Sequence, residues 1–361
     1  MNAPPSLPEL ADFIQTCYHQ RQKLRIVGNG SKQHWGQTLG EERILVSPRE
    51  LPFIFEHSSD DLVVTVSANM SYGELQSRLE RSKQFLAIAP LYDAQASIGG
   101  IIATGITGSI RHRYGGVRDM VLGIEFIRAD GVIAKAGGKV VKNVAGYDLM
   151  KLLTGSWGSL ALITRVTLRL YPLPATYQLV QVSGTAHQIG EFTASLLRSG
   201  LTPTIVDLWS GQTEGDWIHL IVGFAGISAS VSAQSDRLVQ MCQSYAISSI
   251  ALDPPPHPPI WEAENHSALI KLGIPPSQAI NLIAQFNPYP LQIHAGSGVG
   301  MACIPHEIAP ALVEYCNKHK GYGQILNSSN PSPATHPLHR AIKDKFDPHY
   351  IFPPYPFPTA H

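Results

Sequence analysis

The sequence is short of charge. Charged residues make up 15% of its 361 positions, well under the ~25% of an ordinary soluble chain. Lys plus Arg and Asp plus Glu both number 27, so the net charge is zero. That excludes a broad basic surface for nucleic acid and an acidic tail. A hydrophobic share of 44% at such low charge argues against disorder. Cysteine is scarce too. Cys17, Cys242, Cys303 and Cys316 are scattered without a CxxC pair, so they make no zinc or iron–sulfur ligand set. Electron-transfer chemistry would therefore need another cofactor or a partner's cluster. So few cysteines fit a reducing cytoplasm. No apolar run approaches the ~18 residues of a membrane span, and Met1–Phe13 lacks the basic and apolar regions of a secretory signal. The expectation is a cytoplasmic chain without a transmembrane segment, with peripheral attachment at the inner face of a membrane left open.

Glycine and proline fill the gap left by charge, and they are segregated. Thirteen of the 31 glycines lie between Ser97 and Gly158, whereas 19 of the 28 prolines follow Ile250. Glycine lets backbone approach a ligand closely, so the first half reads as a backbone-lined binding site. The proline-rich second half reads as a looped domain with a different task, the boundary falling near Tyr171–Ala175. Ser6–Glu9, Ser47–Glu50 and Ser71–Glu74 each have the spacing of a capping box at a helix start. Strands are predicted over 24–27, 62–67, 121–128, 132–136 and 160–170, with Asp130-Gly131 as a type I′ hairpin turn. A short helix is predicted over 146–154, stopped by Gly155. In the second half, 177–182, 204–209, 217–222, 268–272 and 291–294 read as extended, and 187–198, 228–244, 277–286 and 306–319 as helical. That pattern predicts an α+β domain on an antiparallel sheet. Asp253–Pro259 reads as a stiff loop, and no repeat of fixed period is visible.

Three glycine-rich segments carry the chemistry. Ile26-Val-Gly-Asn-Gly-Ser-Lys32 follows a strand, but Gln33 stands where a Rossmann fingerprint needs its third glycine, and no Walker loop occurs anywhere. A lone GxG is equally an ordinary turn. Ser97-Ile-Gly-Gly-Ile-Ile-Ala-Thr-Gly-Ile-Thr-Gly108 offers N–H groups and hydroxyls without bulk, which suits a diphosphate held by backbone; tight helix packing would use the same residues. The third segment runs from Asn143-Val-Ala-Gly-Tyr-Asp148 to Gly155-Ser-Trp-Gly-Ser-Leu-Ala-Leu-Ile-Thr164.

Taken in order from about Leu24 to Pro172, these motifs resemble the p-cresol methylhydroxylase-type, or vanillyl-alcohol oxidase-like, FAD-binding domain. The run Lys142-Asn-Val-Ala-Gly-Tyr-Asp-Leu149 resembles the FAD-binding E subunit of bacterial glycolate oxidase and, more broadly, the D-lactate and 2-hydroxyglutarate dehydrogenases. The resemblance implies an α+β fold: a two-subdomain FAD-binding domain over residues 5–175, a smaller ferredoxin-like α+β cap over 176–330, and a C-terminal return segment over 331–361. It implies that Gly28, Asn29, Gly30, Ser31 and Lys32 sit on the FAD diphosphate, and that Ser97, Ile98, Gly99, Gly100, Thr104, Gly105 and Gly108 continue the cradle. Pro90, Tyr114 and Gly115 would lie near the flavin ring, and Gly158 and Ile163 would hold the adenine end. Some relatives link FAD covalently through a His of the first loop. Ser31 follows Gly30 here, which implies non-covalent FAD and a structural role for His34.

In the related dehydrogenases the second domain supplies a metal-binding His set with a stretch like HxGDGNxH. The matching stretch, His294-Ala-Gly-Ser-Gly-Val-Gly-Met301, keeps the glycines but only the first His, and one His makes no metal site. No metal is expected, and His294 reads as an ordinary strand-end His; His336 and His339 read as surface residues. Lys343-Asp-Lys-Phe-Asp-Pro348 resembles the family's K-x-x-F-D-P ending, but the usual Asn-Pro-Gly is replaced by an apolar, Pro-rich tail that could pack on a partner. Arg111, Arg113 and Arg118 read as a solvated loop face paired to Asp119, the alternative being a docking edge for a partner or a carboxylate.

The resemblance implies an FAD-binding subunit of a glycolate oxidase or dehydrogenase complex. Such a subunit would take part in oxidising glycolate to glyoxylate alongside a catalytic flavoprotein subunit and an iron–sulfur subunit. The alternatives are a stand-alone FAD-dependent 2-hydroxy-acid dehydrogenase and a non-catalytic subunit that has lost flavin. The catalytic residues are not identifiable at this stage.

Overall fold

The computed structural model describes residues 6–36, 42–91, 94–138, 148–211, 217–252, 267–327 and 337–355. The segment 142–147 of the glycolate-oxidase-like motif, the whole Asp253–Pro259 loop, His336 and the end of the tail lie outside the described residues.

The first half is built around a five-stranded antiparallel sheet. Its spatial order is Phe55–Ser58, Val63–Ser67, Ala161–Arg169, Val121–Arg128 and Ile133–Gly137. The second strand is buried on both faces, which explains its unbroken Val-Val-Thr-Val-Ser run. Helices Tyr72–Glu80 and Ile98–Thr104 pack on this sheet through Leu75, Leu79, Ile98, Ile101 and Ile102. Ser71 and Ser97 cap their first turns by accepting from Glu74 N and Gly100 N. Ser6 caps Leu7–Gln20 in the same way, whereas Ser47 opens only a short 3-10 turn, Pro48–Glu50. A parallel pair, Leu24–Ile26 with Ile44–Val46, lies beside helix Leu7–Gln20.

The Asp130-Gly131 hairpin forms, but it is not type I′. Gly131 alone of the pair has positive φ, at 81°. Asp130 Oδ1 instead accepts from Val132 N, an Asx-type contact that serves the turn without a left-handed aspartate. The helix predicted over 146–154 is shorter, Leu149–Leu153, and Asp148 caps it through Lys151 N.

The second sheet, which begins with Thr176–Gly184, has eight strands. They fall into two β-α-β-β-α-β units. The first contains Thr176–Gly184, helix Ala186–Arg198, Ile205–Trp209, Ile218–Gly226, helix Ser228–Ser244 and Ser248–Leu252. The second contains Ser267–Gly273, helix Ala279–Phe286, Leu291–His294, Val299–Pro305, helix Ala309–Lys318 and Tyr322–Ile325. Each unit orders its strands in the ferredoxin-like way, and the two join where the second strand of one pairs with the second strand of the other. The fold therefore holds a structural repeat that sequence inspection does not show. The units differ in length and share alternation rather than residues, so no fixed period survives. All four helices cover one face, over a core that includes Phe192, Phe224, Leu282 and Leu312. The opposite face turns toward the first half.

The C-terminal segment returns to the first half. Ile351 O accepts from Leu24 N at 2.7 Å, and Ile351 and Phe352 are fully buried with Leu10, Ile14 and Leu24. The K-x-x-F-D-P motif explains why it stays there. Lys343 Nζ, buried at the end of helix Pro337–Phe346, donates to Asp347 Oδ2 and Ser159 O, both at 2.6 Å, and to the Phe352 and Pro353 carbonyls. Asp347 accepts in turn from Ile351 N and Phe352 N. Among the described residues no helix is long and apolar enough to cross a membrane.

Candidate functional site

The first glycine loop leaves a strand and turns without using its own donors. No internal acceptor meets the main-chain N–H groups of Gly28, Asn29, Gly30 and Ser31 among the described residues. Such a run of free N–H groups is a nest for an anion. The loop is held from its side chains: Asn29 Nδ2 donates to Gln95 O, and Arg25 donates to Gln33 O. The second loop faces it. A Cβ on Gly28 would fall 2.3 Å from Ser97 Oγ, so the two loops approach only because position 28 is glycine. Gly30, at φ +83°, has open space before it. These are the features a diphosphate requires, and the residues present fit FAD.

One cleft gathers Gly28, Asn29, Gly30, Ser31, Lys32, Ser97, Gly99, Gly100, Thr104, Gly158 and Ile163. Burial pulls the Lys32 ammonium down to about 8, so an anion beside it would favour its charged form. Ile98 lies below the cleft as a core side chain. Pro90 is buried and does not line the cleft. Gly105 and Gly108 are glycines for chain packing: a Cβ would meet the Gly155 backbone at 3.2 Å and Ala89 O at 2.2 Å, respectively. Tyr114 packs edge-on against Phe85 and Tyr171, and Gly115, at φ +87°, turns against Asp119. None of these six lines the cleft. The structure adds residues the motifs did not point to: Arg25, Trp35, Trp157, Pro353 and Pro354. The two prolines arrive through the Lys343 anchor, a contact no local spacing reveals. His34 is exposed and does not line the cleft.

Beyond the cleft, the open face of the eight-stranded sheet meets residues 107–112. Strand alternation places Asp207, Gln292, His294, Lys271 and Gln324 on that face. Here His294 proves more than a strand-end residue. It lies directly across from Asp207 in the seam between the two repeats, and the pair is 2.7 Å apart and almost fully buried. Burial alone would push His294 down, but the Asp207 carboxylate and a hydrogen bond to the Thr107 main chain hold it above its ordinary value. Burial would raise Asp207, yet His294, Ser109 and Gln292 keep it below the usual carboxylate range. Each partner thus favours the charged form of the other. Gln292 Nε2 donates to both Asp207 Oδ2 and Ser109 Oγ, at 2.7 and 2.9 Å. The second sheet thus grips Thr107 and Ser109, at the end of the second glycine segment.

Arg111 lies within electrostatic reach of His294, Lys271 and Tyr322. It faces the second sheet, which corrects its reading as part of a solvated loop. Asp119 accepts from Gly116 N at 2.8 Å, closing the turn before helix Val117–Met120. Burial, with Arg111 nearby, lowers Lys271 to about 8, and burial lowers His112. His339 is half-buried against the Tyr355 ring. Among the described residues no three His, Cys, Asp or Glu side chains converge as a metal site.

Comparison with known proteins agrees with this geometry. Residues 2–137 match the family described as FAD binding domain. The chain is 32% identical over 166 residues to glycolate oxidase subunit GlcE of Escherichia coli, covering 46% of this chain and 47% of that one. It is 37% identical over 170 residues to D-lactate dehydrogenase of Archaeoglobus fulgidus (47% and 38% of the two chains) and 33% identical over 174 residues to a probable mitochondrial D-lactate dehydrogenase of Danio rerio (47% and 35%). The alignments thus span less than half the length of these relatives. Among solved structures, an alkyldihydroxyacetonephosphate synthase superposes with a TM-score of 0.68 at 15% identity, covering 98% of this chain and 76% of that one; this shows the fold. The chain carries an FAD-binding domain of the p-cresol methylhydroxylase type, its cofactor is FAD, and it is related to glycolate oxidase subunits and D-lactate dehydrogenases.

Proposed function

We propose that the chain is the FAD-binding subunit of a glycolate-oxidising complex, holding FAD without a covalent bond and working with a catalytic flavoprotein and an iron–sulfur partner. FAD supplies a two-electron acceptor for the C–H beside a 2-hydroxy acid's hydroxyl. The chain's own part is to hold the diphosphate on the N–H groups of Gly28–Ser31, with Lys32 beside it and Ser97 shaping the loop behind it. The observation that favours a subunit is His294. It is the one histidine that survives of the dehydrogenase-like motif, alongside Gly296 and Gly298, and it is committed to Asp207 and Thr107. A histidine locked in a buried ion pair is not free to take a substrate proton.

Lys271 and Arg111 favour a second reading, a stand-alone 2-hydroxy-acid dehydrogenase, because two cations on the interdomain face suit a carboxylate. Turnover separates the two. The chain is purified alone and with its co-expressed neighbours, and both are assayed on glycolate with a dye acceptor. The subunit reading expects turnover only in the complex. Efficient oxidation by the lone chain would overturn it.

A further inference from the structure

The loop Gly155–Gly158 holds a large side chain in an unusual backbone state. Trp157 has φ +56°, between two glycines at +80° and +70°. Bulky residues rarely enter that region, and glycine would occupy it without cost. The surroundings fix the loop. Gly155 N and Trp157 N donate to the Ile102 and Ala103 carbonyls, at 2.9 and 2.8 Å, as the helix Ile98–Thr104 ends. Below it, Ser159 N and Oγ both return to Ser156 O. Backbone held this way at a cleft points to function.

The held conformation sends the indole into the cleft. Trp157 lines it together with Trp35, their ring centroids 6.2 Å apart and their planes tilted by 50°. Trp35 carries the wall onward into a cluster shared by both halves: Leu91 and Ile106 from the first, Leu269, Met301 and Leu326 from the second. Through Trp35 the cleft therefore continues toward the interdomain face.

We propose that Trp157 is a flavin-contacting residue, its indole forming with Trp35 the aromatic wall against which the ring system of FAD rests. The inference rests on the FAD-binding reading above. Aromatic contacts of this kind strengthen binding by about 3- to 10-fold, and an indole beside a flavin quenches its emission by donating an electron to the excited ring.

The test is a titration of FAD into the purified full chain, following flavin emission and dissociation constant in the wild type, W157F and W157N. Asparagine is chosen because it tolerates the left-handed backbone but lacks a ring. Bound flavin should be strongly quenched in the wild type. In W157N, binding should weaken by about 3- to 10-fold and bound-flavin emission should rise, with far-UV circular dichroism unchanged. W157F, with a ring but no indole, should bind nearly as well and still emit more. It decides the matter if W157N does not fold. Wild-type emission and affinity in both variants would overturn the assignment of Trp157 alone. A wild type that binds no FAD would overturn the FAD reading itself.

Discussion

Replacing Lys343 by Met should unseat the C-terminal segment. The ammonium is buried, and its three N–H groups are shared among four oxygens, of Asp347, Ser159, Phe352 and Pro353. Its removal leaves the Asp347 carboxylate, 0% exposed, with two N–H donors and no cation. Breaking a buried pair from one side costs about 3–5 kcal/mol, mainly because the remaining charge is uncompensated. Burial already pulls Lys343 down to about 8, so the pair itself is worth little against an apolar replacement. K343M/D347L should therefore recover most of the loss. Guanidinium unfolding of the wild type, both single variants and the double variant measures this as a double-mutant cycle. Because Pro353 and Pro354 line the cleft, FAD affinity should fall in K343M alongside stability. A K343M loss below about 1 kcal/mol, against the 3–5 expected, or a double variant no better than the single, would refute the anchor.

The Asp207–His294 pair should set a pH window for the interdomain contact. Asp207 is lowered on folding, so its contribution is present above pH 3.8 and lost as pH falls through the folded value. His294 is raised, so its contribution is full below pH 6.5 and lost as pH rises through its folded value. H294A should lower stability by about 3 kcal/mol and remove the alkaline limb; an unchanged thermal melt from pH 5 to 9 would count against it. Lys271, lowered to about 8, loses its charge above that pH, so the complex's KM for glycolate should climb there if Lys271 meets the carboxylate. K271M should raise KM at pH 7 and flatten the climb, as steady-state kinetics would show. G28A should abolish FAD binding through the clash with Ser97 Oγ, and G28A/S97A should restore part of it, since the next contact is Cβ at 3.3 Å; dialysis against labelled FAD reads both.

The glycine loops were legible because their chemistry is local. Free N–H groups and absent side chains are properties of a few consecutive residues, and Gly28–Lys32 and Ser97–Thr104 do meet. At Gly105, Gly108 and Gly115 the missing Cβ serves chain crossing or a turn; a glycine looks the same in both roles. The strands Val121–Arg128 and Leu291–His294 appear with the predicted bounds, since alternation or continuous burial marks them. Exposed or short strands such as Phe55–Ser58 and Ser248–Leu252 were missed because little apolar patterning separates them from loops. Asp207 could not have been found beforehand. It becomes notable only when the repeat seam sets it across from His294, and that register is a tertiary fact. Trp157 carries no local signal: a tryptophan at a glycine-flanked turn is ordinary until its φ of +56° is known.

On the function proposed above, FAD lies on bare backbone at Gly28–Ser31 without a covalent bond. The most direct measurement is flavin absorbance of the purified chain, reconstituted with FAD, before and after denaturing ultrafiltration. One FAD per wild-type chain is expected, all of it released into the filtrate, and none bound by G28A. No flavin in the reconstituted wild type, or flavin retained with the denatured polypeptide, would contradict it.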